Sequence, residues 1–248
     1  MEMYREFASV YDPLMSEVDY DAWAEYLIGF LKERLGQPPK AVAECACGTG
    51  EITLRLAKAG YAVTGLDLSP EMLSVAAEKA RRAGRQIPFV RQDMRFLSLH
   101  KPVDAVIAAC DGVNYLTSRE QVQNFLNAAF RALKSGGILL FDVSSRYKLS
   151  TVLGDNTFGE DNGEQAYLWR NHYDNETKLI EMQLTFFRKK GTLYERFPET
   201  HIQRAHSEKE LLNALTRAGF QDCVCFDAFT RSEPKADSER LQFAAYKA

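Results

Sequence analysis

The sequence predicts an α/β fold: a doubly wound, mostly parallel sheet that ends in an antiparallel hairpin and carries a small inserted antiparallel β subdomain. Three observations predict it. From about residue 41 to 145, short apolar runs alternate with single amphipathic segments, which is how a parallel sheet covered by helices on both faces is written. From 146 to 205 the helix signals stop, and two turn signals, near Asp174-Asn175 and Lys189-Lys190-Gly191, divide long strand-like runs. The chain then closes with two apolar runs, CVCFDAF and RLQFAAYK, on either side of a polar turn.

The elements follow in order. Trp23, Leu27, Phe30, Leu31 and Leu35 have helical spacing, with Asp19 or Asp21 as cap and Gly36 as the stop. A strand at about 41–46 leads into Gly48-Thr49-Gly50, and the helix after it closes at Gly60. The strand YAVTGLDL precedes Ser69-Pro70-Glu71, where a serine cap, a first-turn proline and an acid at the positive dipole end open the next helix. IPFVRQDM and VDAVIAAC read as the third and fourth strands. Thr117 with Glu120 forms a capping box for a helix that stops at Gly136-Gly137, and GILLFDV is the fifth strand. Ser207 with Glu210 caps a last helix, ended by Gly219. The domain organisation is therefore 1–145 with 206–248 as the main unit, led by a helical lid over about 1–36, and 146–205 as an inserted cap.

Bulk properties exclude several classes. The 248 residues carry a net charge of −3 and a pI near 5.9, which gives no electrostatic footprint for a nucleic-acid partner. The N-terminus MEMYREFASVYD lacks a basic region followed by an apolar core, and no apolar run reaches bilayer length. Five cysteines, an odd number in apolar surroundings, read as buried thiols of a reducing, cytoplasmic compartment. Cys45-x-Cys47 and Cys223-x-Cys225 each fall within an apolar strand rather than a zinc knuckle, so no metal is predicted. Among the histidines, His172 and His201 fall on the insert, where solvent-facing positions are expected.

The chemistry concentrates in AVAECACGTG, residues 41–50. A dinucleotide fingerprint needs a third glycine where Thr53 stands, and a phosphate loop needs a Gly-Lys-Ser/Thr that is missing. Acids instead stand at the carboxyl ends of three strands: Glu44, Asp67 and Asp93. In a doubly wound sheet those ends line one crevice. Such a set repels a pyrophosphate and suits a ligand with a cation and hydroxyls.

At this point the sequence resembles the class I S-adenosylmethionine-dependent methyltransferases, which are Rossmann-like. The resemblance rests on VAECACGTG, GLDLSPEML, VRQDMRFL and LKSGGILLFDV, in that order and spacing over roughly residues 40–145. It implies S-adenosyl-L-methionine as cofactor. Gly48 and Gly50 would pass under its methionine portion, and Glu44 would hold the ammonium end. Asp67 would bind the ribose, Leu68 would lie against the adenine, and Asp93 with Met94 would hold the adenine edge. Ala46, Met72 and Cys110 complete the expected cofactor set. YREFASVYDPLM resembles the opening of small-molecule methyltransferases, which makes Tyr4, Tyr11 and Trp23 candidates to cover the transfer site. CDGVNYL departs from the Asp/Asn-Pro-Pro-Tyr of enzymes that methylate nucleobase amines.

The expected function is in-line methyl transfer to a nitrogen or oxygen of a small or medium-sized acceptor, by a monomer or homodimer. Tyr11, Asp111, Asn114 and Tyr115 are the candidates to orient that acceptor. Two other readings stay open here: a non-catalytic regulatory protein that keeps the cofactor fold, and, against Thr53, an NAD-dependent oxidoreductase.

Overall fold

The computed structural model describes residues 8–38 and 40–248. Two helices come first: α1 (Ala8–Leu14) and α2 (Tyr20–Leu35), the latter capped by Asp19, whose carboxylate accepts the Ala22 N–H at 2.9 Å. The alternating region then gives β1 (Ala41–Cys45), α3 (Glu51–Lys58), β2 (Ala62–Asp67), α4 (Pro70–Arg82), β3 (Phe89–Arg91), β4 (Val103–Ala108), α5 (Arg119–Ala132) and β5 (Leu133–Ser144). An antiparallel meander of β6 (Thr157–Asp161), β7 (Gln165–Asp174), β8 (Leu179–Lys190) and β9 (Leu193–Arg204) follows. The chain ends with α6 (Glu208–Ala218), β10 (Gln221–Asp227) and β11 (Arg240–Tyr246).

The large sheet has the order β10-β11-β5-β4-β1-β2-β3. Its first five strands are parallel, and β11 runs antiparallel between β5 and β10. The order reverses at β1, so the carboxyl ends of β1 and β4 open a crevice there. Apolar side chains cover both faces. Phe125, Leu126, Phe141 and Phe243 pack on the α5–α6 side, with the last two rings stacked at 4.8 Å. Leu27, Phe30, Leu56 and Leu140 pack on the α2–α3 side. Each such side chain contributes on the order of 1.5–3 kcal/mol by leaving water.

Two local expectations shift. The cap of α5 is Ser118, whose Oγ accepts the Gln121 N–H at 3.1 Å, while the Gln121 side chain accepts the Thr117 N–H at 2.9 Å. The box thus lies one residue beyond Thr117 and Glu120, because Gln121 can reach back to a free N–H and Glu120 cannot. The helix also ends at Ala132 and runs straight into β5, which places Gly136 and Gly137 inside the strand. There Gly136, at φ +79°, donates its N–H to Lys247 O at 2.8 Å.

The meander packs its inward face on the N-terminal side of the crevice. Phe186 and Phe197 meet Ala8 of α1 and Met72 of α4. Strand β6 was not visible in the sequence, since TFGED is polar and mostly exposed.

Candidate functional site

A cavity of about 340 Å³ opens at the ends of β1, β2 and β4. Glu44 lies at its floor, 3% exposed. Burial pushes its carboxyl up to about 8, and the nearby Asp67 adds to the rise against a hydrogen bond from Thr53. Thr53, also buried, donates its hydroxyl to Glu44 Oε2. The residue that breaks the dinucleotide fingerprint is therefore the one that holds the acid.

Asp67 accepts the Gly48 N–H at 2.8 Å and the Ser69 N–H at 2.9 Å. Burial still outweighs these bonds and raises its carboxyl. The turn between them is tight. Gly48 and Gly50 have φ of +53° and +80°, and a Cβ on Gly50 would lie 3.0 Å from that of Ala76. Ala46 takes a left-handed φ of +53° without being glycine, a strain of order 1–3 kcal/mol that surrounding contacts must hold.

Of the other expected cofactor residues, Ala46, Gly48, Leu68, Met72, Met94 and Cys110 line this cavity. Three expected residues, Gly50, Asp93 and Trp23, do not line it. Gly50 is the left-handed cap of α3. Asp93 caps the short turn Met94–Phe96, accepts the Arg95 N–H at 2.9 Å and pairs with the Arg95 guanidinium. Burial raises that carboxyl, but Arg95 outweighs it and holds it low. Trp23 turns its face to Arg240, 5.3 Å from the ring, and meets Phe229 in a T-shaped contact. Tyr4 lies outside the described residues. The walls also include Thr49, Tyr20, Arg91 and Gln92, which the sequence reading missed.

A second cavity of about 250 Å³ adjoins the first, and Tyr11, Cys110 and Tyr115 line both. Its far walls come from the meander: Tyr167, Trp169, Phe186, His201 and Gln203. The expectation for His201 is overturned, because it is 4% exposed. Alternation along β9 points Phe197, Glu199, His201 and Gln203 to the same inward face. Its ring Nδ1 lies 3.3 Å from Tyr115 Oη, and burial pushes the imidazole down to about 4. His172 does face solvent.

Asp111 also lines this second cavity, paired with Arg240, which in turn pairs with the fully buried Asp142. Cys110 and Asp111 are successive non-glycine residues at φ +59° and +58°. Burial raises the Cys110 thiol well above its usual value. Asn114 does not reach either cavity. Its amide donates to Ser144 O at 3.1 Å and Arg204 O at 2.9 Å, and its Oδ1 accepts the Ser144 N–H at 2.9 Å. The side chain is fully engaged in tying the turn to β5 and β9, so an acceptor-orienting role is withdrawn for it.

Helix α1 roofs the junction. Asp12 accepts the Thr49 hydroxyl at 2.6 Å and the Lys79 ammonium at 2.8 Å, and Tyr11 is half-buried near Tyr20. The cysteines are all free. Cys47 lies in the turn beyond β1, not within the strand. Strands β1 and β10 are separated by β11, β5 and β4, roughly 19 Å at ordinary strand spacing, which keeps the two Cys-x-Cys pairs apart. No helix of the described residues is long and apolar enough to cross a membrane.

Comparison with known proteins gives four further findings. Residues 42–137 match the family described as a methyltransferase domain. The chain is 41% identical over 246 residues to YqeM of Bacillus subtilis (strain 168), provisionally named a methyltransferase, covering 99% of this chain and 97% of that one. Its backbone matches the crystal structure of an S-adenosylmethionine-dependent methyltransferase from Clostridium acetobutylicum ATCC 824 with a TM-score of 0.89, at 31% identity and 99% coverage of each chain. The sugar N-methyltransferase KedS8 from Streptoalloteichus, at 22% identity, shares the fold with a TM-score of 0.79 over 96% of this chain and 92% of that one.

Proposed function

The chain belongs to the class I S-adenosylmethionine-dependent methyltransferases, and from that premise we propose that the larger cavity holds the cofactor and the smaller one a small-molecule methyl acceptor. The observation that carries this reading is the shared wall: two cavities meet at Tyr11, Cys110 and Tyr115, as an in-line transfer between two molecules requires.

The residues fit the cofactor chemically. Glu44, Glu51, Asp67 and Glu71 line the larger cavity against one cation, Arg91. That set disfavours a pyrophosphate and favours a ligand with an ammonium, a sulfonium and hydroxyls. When bound, S-adenosylmethionine supplies an activated methyl group and a good leaving sulfur. Glu44 then faces the ammonium, Asp67 the ribose hydroxyls, and Leu68, Met72 and Met94 the adenine. Tyr11, Cys110 and Tyr115 exclude water at the transfer point, and the Asp12 latch holds α1 over it. In this reading Asp93 acts through the turn it caps, not by direct contact.

The five free cysteines support a cytoplasmic setting. At about 250 Å³, the second cavity suits a small molecule better than a nucleic acid.

The test is calorimetric titration with S-adenosylmethionine. Asp67→Ala should weaken binding by about 10–100-fold, the loss of two charge-assisted hydrogen bonds, with the circular dichroism spectrum unchanged. Unaltered affinity, or NAD binding in place of S-adenosylmethionine, would contradict the assignment.

A further inference from the structure

The acceptor cavity holds one group whose chemistry the transfer itself does not explain. His201 is buried on the inner face of β9, and its Nδ1 lies 3.3 Å from Tyr115 Oη. Tyr115 belongs to the wall common to both cavities, and its hydroxyl faces His201 on the acceptor side. The titratable groups facing the same cavity are Tyr11 from α1, Cys110 and Asp111 from the turn after β4, Lys148, and Tyr167 from β7. Asp111 is committed to Arg240, which outweighs burial and holds its carboxylate low, whereas the imidazole faces the Tyr115 hydroxyl.

The cavity also describes its occupant. Five aromatic rings line it: Tyr11, Tyr115, Tyr167, Trp169 and Phe186. Its two charged side chains, Asp111 and Lys148, are of opposite sign, and Asp111 is further paired with Arg240. A flat, uncharged ring fits these walls. A neutral amine on such a ring attacks through its lone pair and sheds its proton to water afterwards. A hydroxyl oxygen has no stable protonated product, so its proton must leave as the bond forms, and that step calls for a base.

Resting on the proposed cavity assignment, we propose that Tyr115 and His201 form a proton relay for methylation of a hydroxyl on a flat, uncharged ring, an acceptor of the phenol class. The hydroxyl oxygen's lone pair forms the new O–C bond, and the C–S bond breaks with its electron pair going to sulfur, which becomes a neutral thioether. The acceptor's proton passes to Tyr115 Oη as the tyrosine's own proton passes to His201 Nδ1. The resulting imidazolium returns its proton to solvent when product leaves. Burial keeps the ring neutral at physiological pH, pushed down to about 4, so it carries no proton before the reaction and readily gives up the one it receives.

The experiment uses the full chain with S-adenosylmethionine and three probes: 5-hydroxyindole, 5-aminoindole and 4-nitrophenol, the last already largely ionised near pH 8. The wild type should release S-adenosylhomocysteine fastest with 5-hydroxyindole. H201Q and Y115F should each lower that rate about 10²–10³-fold while lowering the 4-nitrophenol rate far less, and H201Q, at a residue that does not line the larger cavity, should leave cofactor affinity unchanged. Equal losses on both phenols would show positioning only and overturn the relay. Methylation of 5-aminoindole alone, or of no probe while the cofactor still binds, would overturn the phenol class and leave the cofactor assignment standing. Loss of cofactor binding by the wild type would instead overturn the cavity assignment. Should both variants fail to fold, the wild type decides: its 5-hydroxyindole rate should be flat from pH 6 to 9. A rate rising tenfold per pH unit, as reaction of free phenolate requires, would refute the relay.

Discussion

Glu44 is a carboxyl group that the unliganded protein holds mostly protonated at pH 7, because burial pushes it up to about 8. An ammonium placed beside it must draw that proton off. Titration with S-adenosylmethionine at pH 7 should therefore release up to one proton, seen as a binding enthalpy that differs between phosphate and Tris in proportion to their ionisation enthalpies. E44Q should abolish the difference, and identical enthalpies for the wild type would rule the mechanism out. The same group sets a stability trend. A carboxyl raised in the folded state binds more protons than the unfolded chain from about pH 4.3 upward. Its stabilising contribution is thus complete below that value and is lost as pH rises through about 8, at no more than about 1.4 kcal/mol per unit. E44Q should flatten that slope in urea unfolding of the unliganded protein. The identity of this acid was legible in the sequence, since it follows an apolar run and precedes a glycine turn. Its protonation was not, because that depends on Thr53 and Asp67, nine and twenty-three positions away in the chain.

Elements whose signals are local were read well, and those whose orientation is set by distant packing were not. The caps at Asp19, Ser69 and Ser207 each accept the N–H three residues on, a bond that the residue types alone announce. The inward face of β9 was available from alternation, yet polar side chains at Glu199, His201 and Gln203 disguised a buried strand as an exposed one. His201 and Gln203 are buried in the wall of the second cavity. Helix α1 is another element whose place no periodicity predicts, since its seven residues are held by Asp12 bridging to Thr49 and Lys79. That latch joins the roof to the glycine turn. D12A should raise the Kd for S-adenosylmethionine about 3–10-fold, the worth of a partly exposed charged pair with one hydroxyl bond. The increase should come from faster dissociation and shrink in high salt. A changed association rate at constant dissociation rate in stopped-flow fluorescence would contradict the latch.

At the scale of the whole molecule, the last strand completes a site begun two hundred residues earlier. β11 inserts beside β5, and its Arg240 reaches across to Asp142 on β5 and to Asp111 in the turn that leads to Tyr115. The sheet order was foreseeable from the alternation and the terminal hairpin; this bridge was not, since it joins charges far apart in sequence. Removing one member of a buried ionic group strands the others. R240M should cost about 2–4 kcal/mol near pH 7.5, the lower part of the range for buried pairs because the guanidinium is one-fifth exposed. Without it, Asp111 and Asp142 would both carry raised carboxyls in the folded state. Folding would then hold extra protons, and stability would fall as pH rises through the acid range. The deficit of R240M should therefore be small at pH 5 and grow toward pH 7.5. Replacing all three groups, D111N with D142N and R240M, should return stability to within about 1.5 kcal/mol of the wild type, since no uncompensated charge remains. Urea unfolding at both pH values distinguishes the causes. An equal deficit at pH 5 and 7.5, not relieved in the triple variant, would mean that Arg240 acts by packing over Trp23, 5.3 Å from its ring, and not by charge.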